Sequence, residues 1–218
     1  RGDRPGAADA ALMATAKRQP WRIYLEQPSA LSLLGDLSSL SVLDLGCGEG
    51  HYTRLLRQLG ADQVLGVDLS SDLIELARTQ ELSHPLGVDH RVCDAAELKL
   101  QTTFDLVFAG HLFNHARDRE ELHAQFSTVS SLLRPGGRLV EGAAIHYRFE
   151  LEDGGAFELT DYYISREVMQ TLMEDCGLRQ VRWPEPVLAQ EGVEAKGADY
   201  WTAIVAAPPF CLVEATRA

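Results

Sequence analysis

Three carboxylates, Asp44, Asp68 and Asp94, each close a short apolar run, and the first stands inside the turn Val42-Leu-Asp-Leu-Gly-Cys-Gly-Glu-Gly50. Glycine at 46, 48 and 50 lets the backbone pass close to a ligand before a helix begins. The acids decide which ligand. A pyrophosphate would meet Asp44 and Glu49 as like charges, whereas an ammonium-bearing group is welcomed by a carboxylate. The G-x-G-x-x-G spacing of dinucleotide-binding turns also fails, because Gly50 is followed by His51 and Tyr52, with Thr53 next. Asp68 stands where a carboxylate accepts both hydroxyls of a ribose. Asp94 can accept from an adenine amino group while the backbone at Ala95 meets a ring nitrogen. Each acid alone could be a helix cap or a solvated turn; the three in register point to one crevice along the strand ends.

Proton transfer near neutrality asks for histidine, whose unperturbed pKa is about 6.5. His111, just past the fourth apolar run, is the first candidate base and His146 the second; His51 and His115 are weaker, and a solvated or hydrogen-bonded side chain is the competing reading for each. The aromatics Tyr147, Phe149, Phe157, Tyr162 and Tyr163, with Trp183 and Trp201, can wall a flat substrate, although core packing accounts for some and Trp201 reads as helix packing. Cys47, Cys93, Cys176 and Cys211 form no CxxC pair, so neither a zinc site nor a disulfide framework is expected. No metal is expected.

Positioning these groups requires strands that alternate with helices. Apolar runs at 41–46, 63–69, 89–94, 104–110 and 138–145 read as parallel strands, with amphipathic stretches from Tyr52, Ser70 or Ser71, and Arg119 between them. Arg134-Pro-Gly-Gly137 ends the helix before the fifth strand. From His146 to Thr160 no period is evident, and such a long connection is where specificity often resides. A helix from Ser165, a strand through Trp183, a helix over 199–206 and a last strand from Phe210 follow. The expected fold is α/β, one doubly wound domain over residues 21–218 with an insertion around 146–163, preceded by a tail over 1–20.

The 218 residues carry 20 Lys and Arg against 32 Asp and Glu, a net charge of −12, which disfavours a nucleic-acid partner. No run approaches the roughly 20 apolar residues of a membrane span, so a cytoplasmic protein without a membrane partner is expected.

In Leu43-Asp-Leu-Gly-Cys-Gly-Glu-Gly50, Gly66-Val-Asp-Leu69, Asp94-Ala95 and Leu133-Arg-Pro-Gly-Gly-Arg-Leu139 the chain resembles the class I S-adenosylmethionine (SAM)-dependent methyltransferases. It looks most like the toxoflavin-synthase-like small-molecule methyltransferases in Ala77-Arg78 with Glu81, Pro85-Leu-Gly87, Leu112-Phe-Asn-His-Ala116 with Glu120-Glu-Leu122, and Tyr200-Trp201 with Pro208-Pro-Phe210. The resemblance implies a seven-stranded sheet with an antiparallel last strand, SAM as methyl donor and a nitrogen heterocycle as acceptor. It implies donor contacts at Asp44, Gly46, Cys47, Gly48, Tyr52, Thr53, Asp68, Leu69, Asp94, Ala95, Ala109, Gly110 and His111. The N-terminal lid maps on Trp21, Arg22 and Tyr24, with Arg22 toward the methionine carboxylate; Asn114, Tyr147, Phe149 and Trp183 are the acceptor candidates. His111 and His115 depart from the aromatics expected in close relatives, which bears on the acceptor and not on the donor.

The fourth strand ends in Ala109-Gly-His-Leu112, not the Asn- or Asp-Pro-Pro-Tyr signature of several enzymes that methylate bases or protein amides, so a small-molecule acceptor is the leading reading. N- and O-methylation are not separated by sequence; an acid paired with a histidine would favour oxygen. A nicotinamide-dependent oxidoreductase and a non-catalytic SAM-binding subunit are the alternatives of other classes.

Overall fold

The structure is a computed structural model that describes residues 19–144, 147–150, 156–159 and 164–218, with side chains between 143 and 163 outside the described set. A π-helical turn, Arg22–Glu26, runs into α1 (Gln27–Leu34); then come β1 (Ser41–Leu45), α2 (His51–Gln58), β2 (Gln63–Asp68), α3 (Ser71–Ser83), β3 (Asp89–Val92) and β4 (Phe104–Gly110). A 3-10 turn, Phe113–His115, precedes α4 (Arg119–Leu132), β5 (Leu133–Ala144), β6 (Tyr147–Glu150) and β7 (Ala156–Leu159). The chain closes with α5 (Arg166–Asp175), β8 (Leu178–Arg182), α6 (Gln190–Lys196), α7 (Ala198–Ala206) and β9 (Phe210–Arg217).

Seven strands form one sheet in the order β3-β2-β1-β4-β5-β9-β8. The pairs from β3 to β5 are parallel, while β9 runs antiparallel to both β5 and β8, as expected from the resemblance. Both faces are covered, which is why the central strands read as nearly continuous apolar runs. Alternate residues face opposite cores. Leu43, Leu45, Val107 and Leu139 pack with Phe126 of α4 and Met173 of α5 on one side. Val42, Leu106, Phe108 and Val140 pack with Leu34, Leu56 and Trp201 on the other. At roughly 1.5–3 kcal/mol per buried side chain of this size, these layers fix the strand ends independently of any ligand.

Local chemistry explains the boundaries. Ser70, Asp118 and Ser165 cap their helices, accepting from Leu73, Glu121 and Val168 backbone N–H groups at 3.3, 2.8 and 3.3 Å. Strand β3 stops at Val92 and not at Asp94, because the Asp94 carboxylate accepts from Ala96 N at 2.8 Å and turns the chain. Strand β5 starts at Leu133, earlier than Arg138: Phe104 pairs with Leu133 and Leu106 with Arg138, so Arg134 to Gly137 bulge out, with Gly136 at φ 77°. The aperiodic stretch holds the antiparallel pair β6 and β7. Helix α6 was missed, since Gln190-Glu-Gly-Val-Glu-Ala-Lys196 has too few apolar residues to show a helical stripe.

Gly66 of β2 leaves no room for a side chain beside the glycine turn and α2. A Cβ there would stand 2.8 Å from Thr53 Oγ1, 2.9 Å from Cys47 Sγ and 2.9 Å from His90 Cδ2. Gly66→Ala is therefore expected to lower unfolding free energy by about 1–3 kcal/mol in denaturant titration, the usual cost of overpacking; an unchanged midpoint would mean this packing is loose.

Candidate active site

The glycine turn is tied to the end of β2 by its own backbone. Gly46 N and Cys47 N both donate to Val67 O, at 2.8 and 3.0 Å, and Gly46, Gly48 and Gly50 adopt φ of 79°, 55° and 84°, values that suit glycine. Asp68 is held by two backbone donors: Gly48 N to Oδ2 and Ser70 N to Oδ1, each at 2.8 Å. A carboxylate has about four lone-pair sites, so each oxygen retains capacity for a further donor. Beside it the apolar Leu69 is 69% exposed, and a Cβ at Gly48 would meet nothing within 4 Å. The ends of β1 and β2 thus leave open space beside Gly48 and Leu69, with the Asp68 carboxylate at its edge.

Asp44 plays a different part from its two companions. Its carboxyl is buried and accepts from Thr53 Oγ1 at 2.6 Å; burial pushes its pKa up to about 7, against the pull of that hydrogen bond. It braces the first turn of α2 from inside. Burial likewise pushes the Cys47 thiol up, so Cys47 is a packing residue and not a nucleophile.

The lid closes on the fourth strand through charge. Glu26 Oε1 lies 2.5 Å from His111 Nε2, Arg22 Nη2 lies 3.0 Å from the same nitrogen, and Arg22 Nε is 3.3 Å from Glu26 Oε2. Burial alone would raise the Glu26 carboxyl, but His111, Arg22 and His51 together hold it below the usual range. His111 is one of the few non-glycine residues with positive φ, 64°, and its N–H donates to Gly142 O at 2.7 Å. Such a conformation costs on the order of 1 kcal/mol or more and persists only where its surroundings enforce it. Tyr52 packs its ring on Phe108, centroids 4.7 Å apart, and against Gly110; burial first, and Glu26 second, push its phenol up.

The proposed site residues therefore separate into groups. Asp68, Leu69, Gly46 and Gly48 surround this open space, with Asp94 and Ala95 in the turn after the neighbouring strand β3, while Arg22, Tyr52, Gly110 and His111 converge at the end of β4. Ala109 is buried in the sheet. Trp21 and Tyr24 take another direction: Trp21 stacks on Phe210, centroids 6.2 Å apart, and Tyr24 meets Trp201 edge-on at 6.2 Å, anchoring the lid to β9 and α7. Trp183 lies under the Arg166 guanidinium at 5.2 Å, and Asn114 is buried. His146 and the side chains of Tyr147 and Phe149 lie outside the described residues. Glu26 was missed because it sits in a helical run next to the lid residues without any motif, and only the tertiary contact with His111 reveals it. Glu141 was missed because it stands inside an otherwise apolar strand.

Residues 42–137 match a family model described as a methyltransferase domain. A ubiquinone biosynthesis O-methyltransferase of Xanthomonas oryzae pv. oryzae is 35% identical over 106 residues, 48% of this chain and 43% of that protein. The chain thus spans less than half the length of that curated relative. Among solved structures, a SAM-dependent methyltransferase from Mesorhizobium loti aligns with a TM-score of 0.68 at 22% identity, covering 88% of this chain and 97% of that one. DhpI in complex with S-adenosylhomocysteine (SAH) aligns with a TM-score of 0.65 at 24% identity, covering 94% and 90%. Residues 42–137 are thus similar to a methyltransferase domain, and the chain shares the seven-stranded Rossmann-like fold of the SAM-dependent methyltransferases with which it aligns.

Proposed function

We propose that the chain is an enzyme that takes SAM as methyl donor and passes the methyl group to a small molecule whose reacting atom gives up a proton. The carrying observation is the pairing of His111 with Glu26 at 2.5 Å, at the strand end next to the open space around Asp68. The residues present fit the donor. Asp68 retains lone pairs for ribose hydroxyls, Leu69 offers an apolar face for adenine, and Arg22 supplies a guanidinium for a carboxylate. Bound there, SAM supplies a methyl carbon already activated by its sulfonium, so the protein contributes alignment and exclusion of water. In the tautomer whose Nε2–H donates to Glu26 Oε1, Arg22 is oriented by Glu26 Oε2 and not by that nitrogen, the buried Nδ1 is the basic nitrogen, and the carboxylate stabilises the imidazolium that forms. SAM held there would offer its methyl carbon to the acceptor's lone pair with the sulfide of SAH as leaving group, and His111 would take the acceptor's proton.

A histidine held by a carboxylate favours a phenolic oxygen, which is reactive only once deprotonated. The ring nitrogen of a toxoflavin-like heterocycle in secondary metabolism is the second reading, supported by the stretches around Leu112 to Ala116, and it needs the same base wherever that nitrogen carries hydrogen. The net charge of −12 supports a free small molecule in the cytoplasm over nucleic acid. No helix of the described residues is long and apolar enough to cross a membrane.

Calorimetric titration is expected to give micromolar binding of SAH and none of NAD. Preference for NAD, or no SAH binding, would overturn the assignment in favour of an oxidoreductase or an unrelated role. Methyl transfer from labelled SAM to a panel of phenols and heterocycles then separates an enzyme from a subunit that only binds the donor.

A further inference from the structure

Next to the site lies a carboxyl that the mechanism does not use. Glu141 of β5 is fully buried, and among the described residues neither of its oxygens has a hydrogen-bond partner. Its strand position is set by register: Glu141 pairs with Ala109 on one side and Val213 on the other, one residue before Gly142, whose carbonyl holds His111. Ala109 and Val213 belong to the core beneath α4 and α5, so Glu141 enters that layer at its edge nearest the site. The 3-10 turn carrying Asn114 packs on β5, and Asn114 has neither its oxygen nor its nitrogen bonded. Gln125 Oε1, from α4, is also buried without a partner.

Leaving one buried amide or carboxyl unbonded costs on the order of 1–3 kcal/mol, and such groups are rare in folded proteins. Two of them on elements in contact, beside a substrate site, are two empty halves of hydrogen bonds. Burial is the sole influence resolved on Glu141, and it raises the pKa to about 8, so no described cation or donor compensates it. Across on β9, Cys211 feels Glu141 as a further repulsion after burial and is pushed up to about 12.

We infer that Glu141 and Asn114 form the specificity subsite of the acceptor, and that they bind an amino group or N–H edge carried by an aromatic acceptor at a position other than the methylated atom. An N–H donor matches the carboxyl and amide oxygens of this pair, and the Asn114 amide N–H is left to an acceptor atom on the same ring. A carboxylate accepts from an ammonium and a protonated carboxyl still accepts through its carbonyl oxygen, while the Asn114 amide oxygen takes a second N–H. An acidic group on the acceptor would repel Glu141 once that carboxyl ionises.

This inference rests on the methyltransferase reading, and its test keeps the two apart. Binding of tyramine and of p-cresol, which share a phenol and differ by the ammonium arm, is measured on the SAH-loaded wild type, Glu141→Gln and Asn114→Ala. Tyramine is expected to bind at least about 10-fold more tightly than p-cresol to the wild type. Glu141→Gln should erase that preference, Glu141→Asp restore part of it, and SAH affinity should stay the same in all three variants. Equal affinity of the two probes, no tyramine binding at millimolar concentration, or a preference that survives Glu141→Gln would each overturn the subsite. Failure of SAH itself to bind would instead overturn the donor assignment on which it stands.

Discussion

Asp68→Ala is expected to weaken SAH binding by at least about 100-fold, taking a micromolar complex beyond the range of calorimetry while leaving the fold intact. The size follows from the bonds removed. A carboxylate accepting from two ribose hydroxyls makes two charge-assisted hydrogen bonds, each worth about 1.5–3 kcal/mol, and 1.4 kcal/mol is a factor of ten. The structure adds a second cost, because the same carboxylate also holds Gly48 N and Ser70 N, so alanine loosens the glycine turn. Asp68→Asn keeps the shape and one acceptor oxygen and should fall between alanine and wild type. An alanine variant that binds SAH within about threefold of wild type would remove Asp68 from the donor site. Thermal unfolding checks the other arm: losing the acceptor of Gly48 N and Ser70 N should lower the melting temperature by a few degrees while the transition stays cooperative.

The parallel core was legible because burial on both faces writes a strand as an apolar run, and the glycine turn was legible because its backbone needs conformations that few other residues adopt. That placed Asp68, Gly46 and Gly48 around one open space before any contact was known. The roles of Asp44, Trp21 and Tyr24 were not legible for a common reason. Sequence position says which strand end or lid turn a residue belongs to, and not which way its side chain points. Asp44 turns inward to Thr53, while Trp21 and Tyr24 turn outward to Phe210 and Trp201. Long-range pairing is equally invisible: the His111 and Glu26 contact joins residues 85 positions apart, and nothing local marks either end. The pattern that did reach toward it was the mismatch at His111, where an aromatic was expected and the structure shows a charged lid contact. Glu26 also holds Arg22 close to the site, since the lid carboxylate neutralises it at 3.3 Å.

Glu141→Gln is expected to stabilise the protein at about pH 8 and to flatten its pH dependence. The sign follows from linkage. Burial raises the Glu141 pKa from an unfolded value near 4.5 to about 8, so between those values the folded chain holds one proton that the unfolded chain has released. Stability from this group is complete below the unfolded value and is lost as pH rises through the folded one, by up to about 1.4 kcal/mol per pH unit. Asp44 adds a second slope of the same sign, from 3.8 to about 7, and Thr53 moderates it with a hydrogen bond that Glu141 lacks. Glutamine carries no proton to lose, so denaturant titrations at about pH 5 and about pH 8 should differ by roughly 3 kcal/mol less in the variant than in the wild type, an order-of-magnitude figure from the same shift. A wild type with no such decline, or a variant with an unaltered one, would show that Glu141 is solvated or paired. If the decline disappears together with the preference for the ammonium-bearing phenol, one carboxyl accounts for both, and the stability it costs is the counterpart of the specificity it provides.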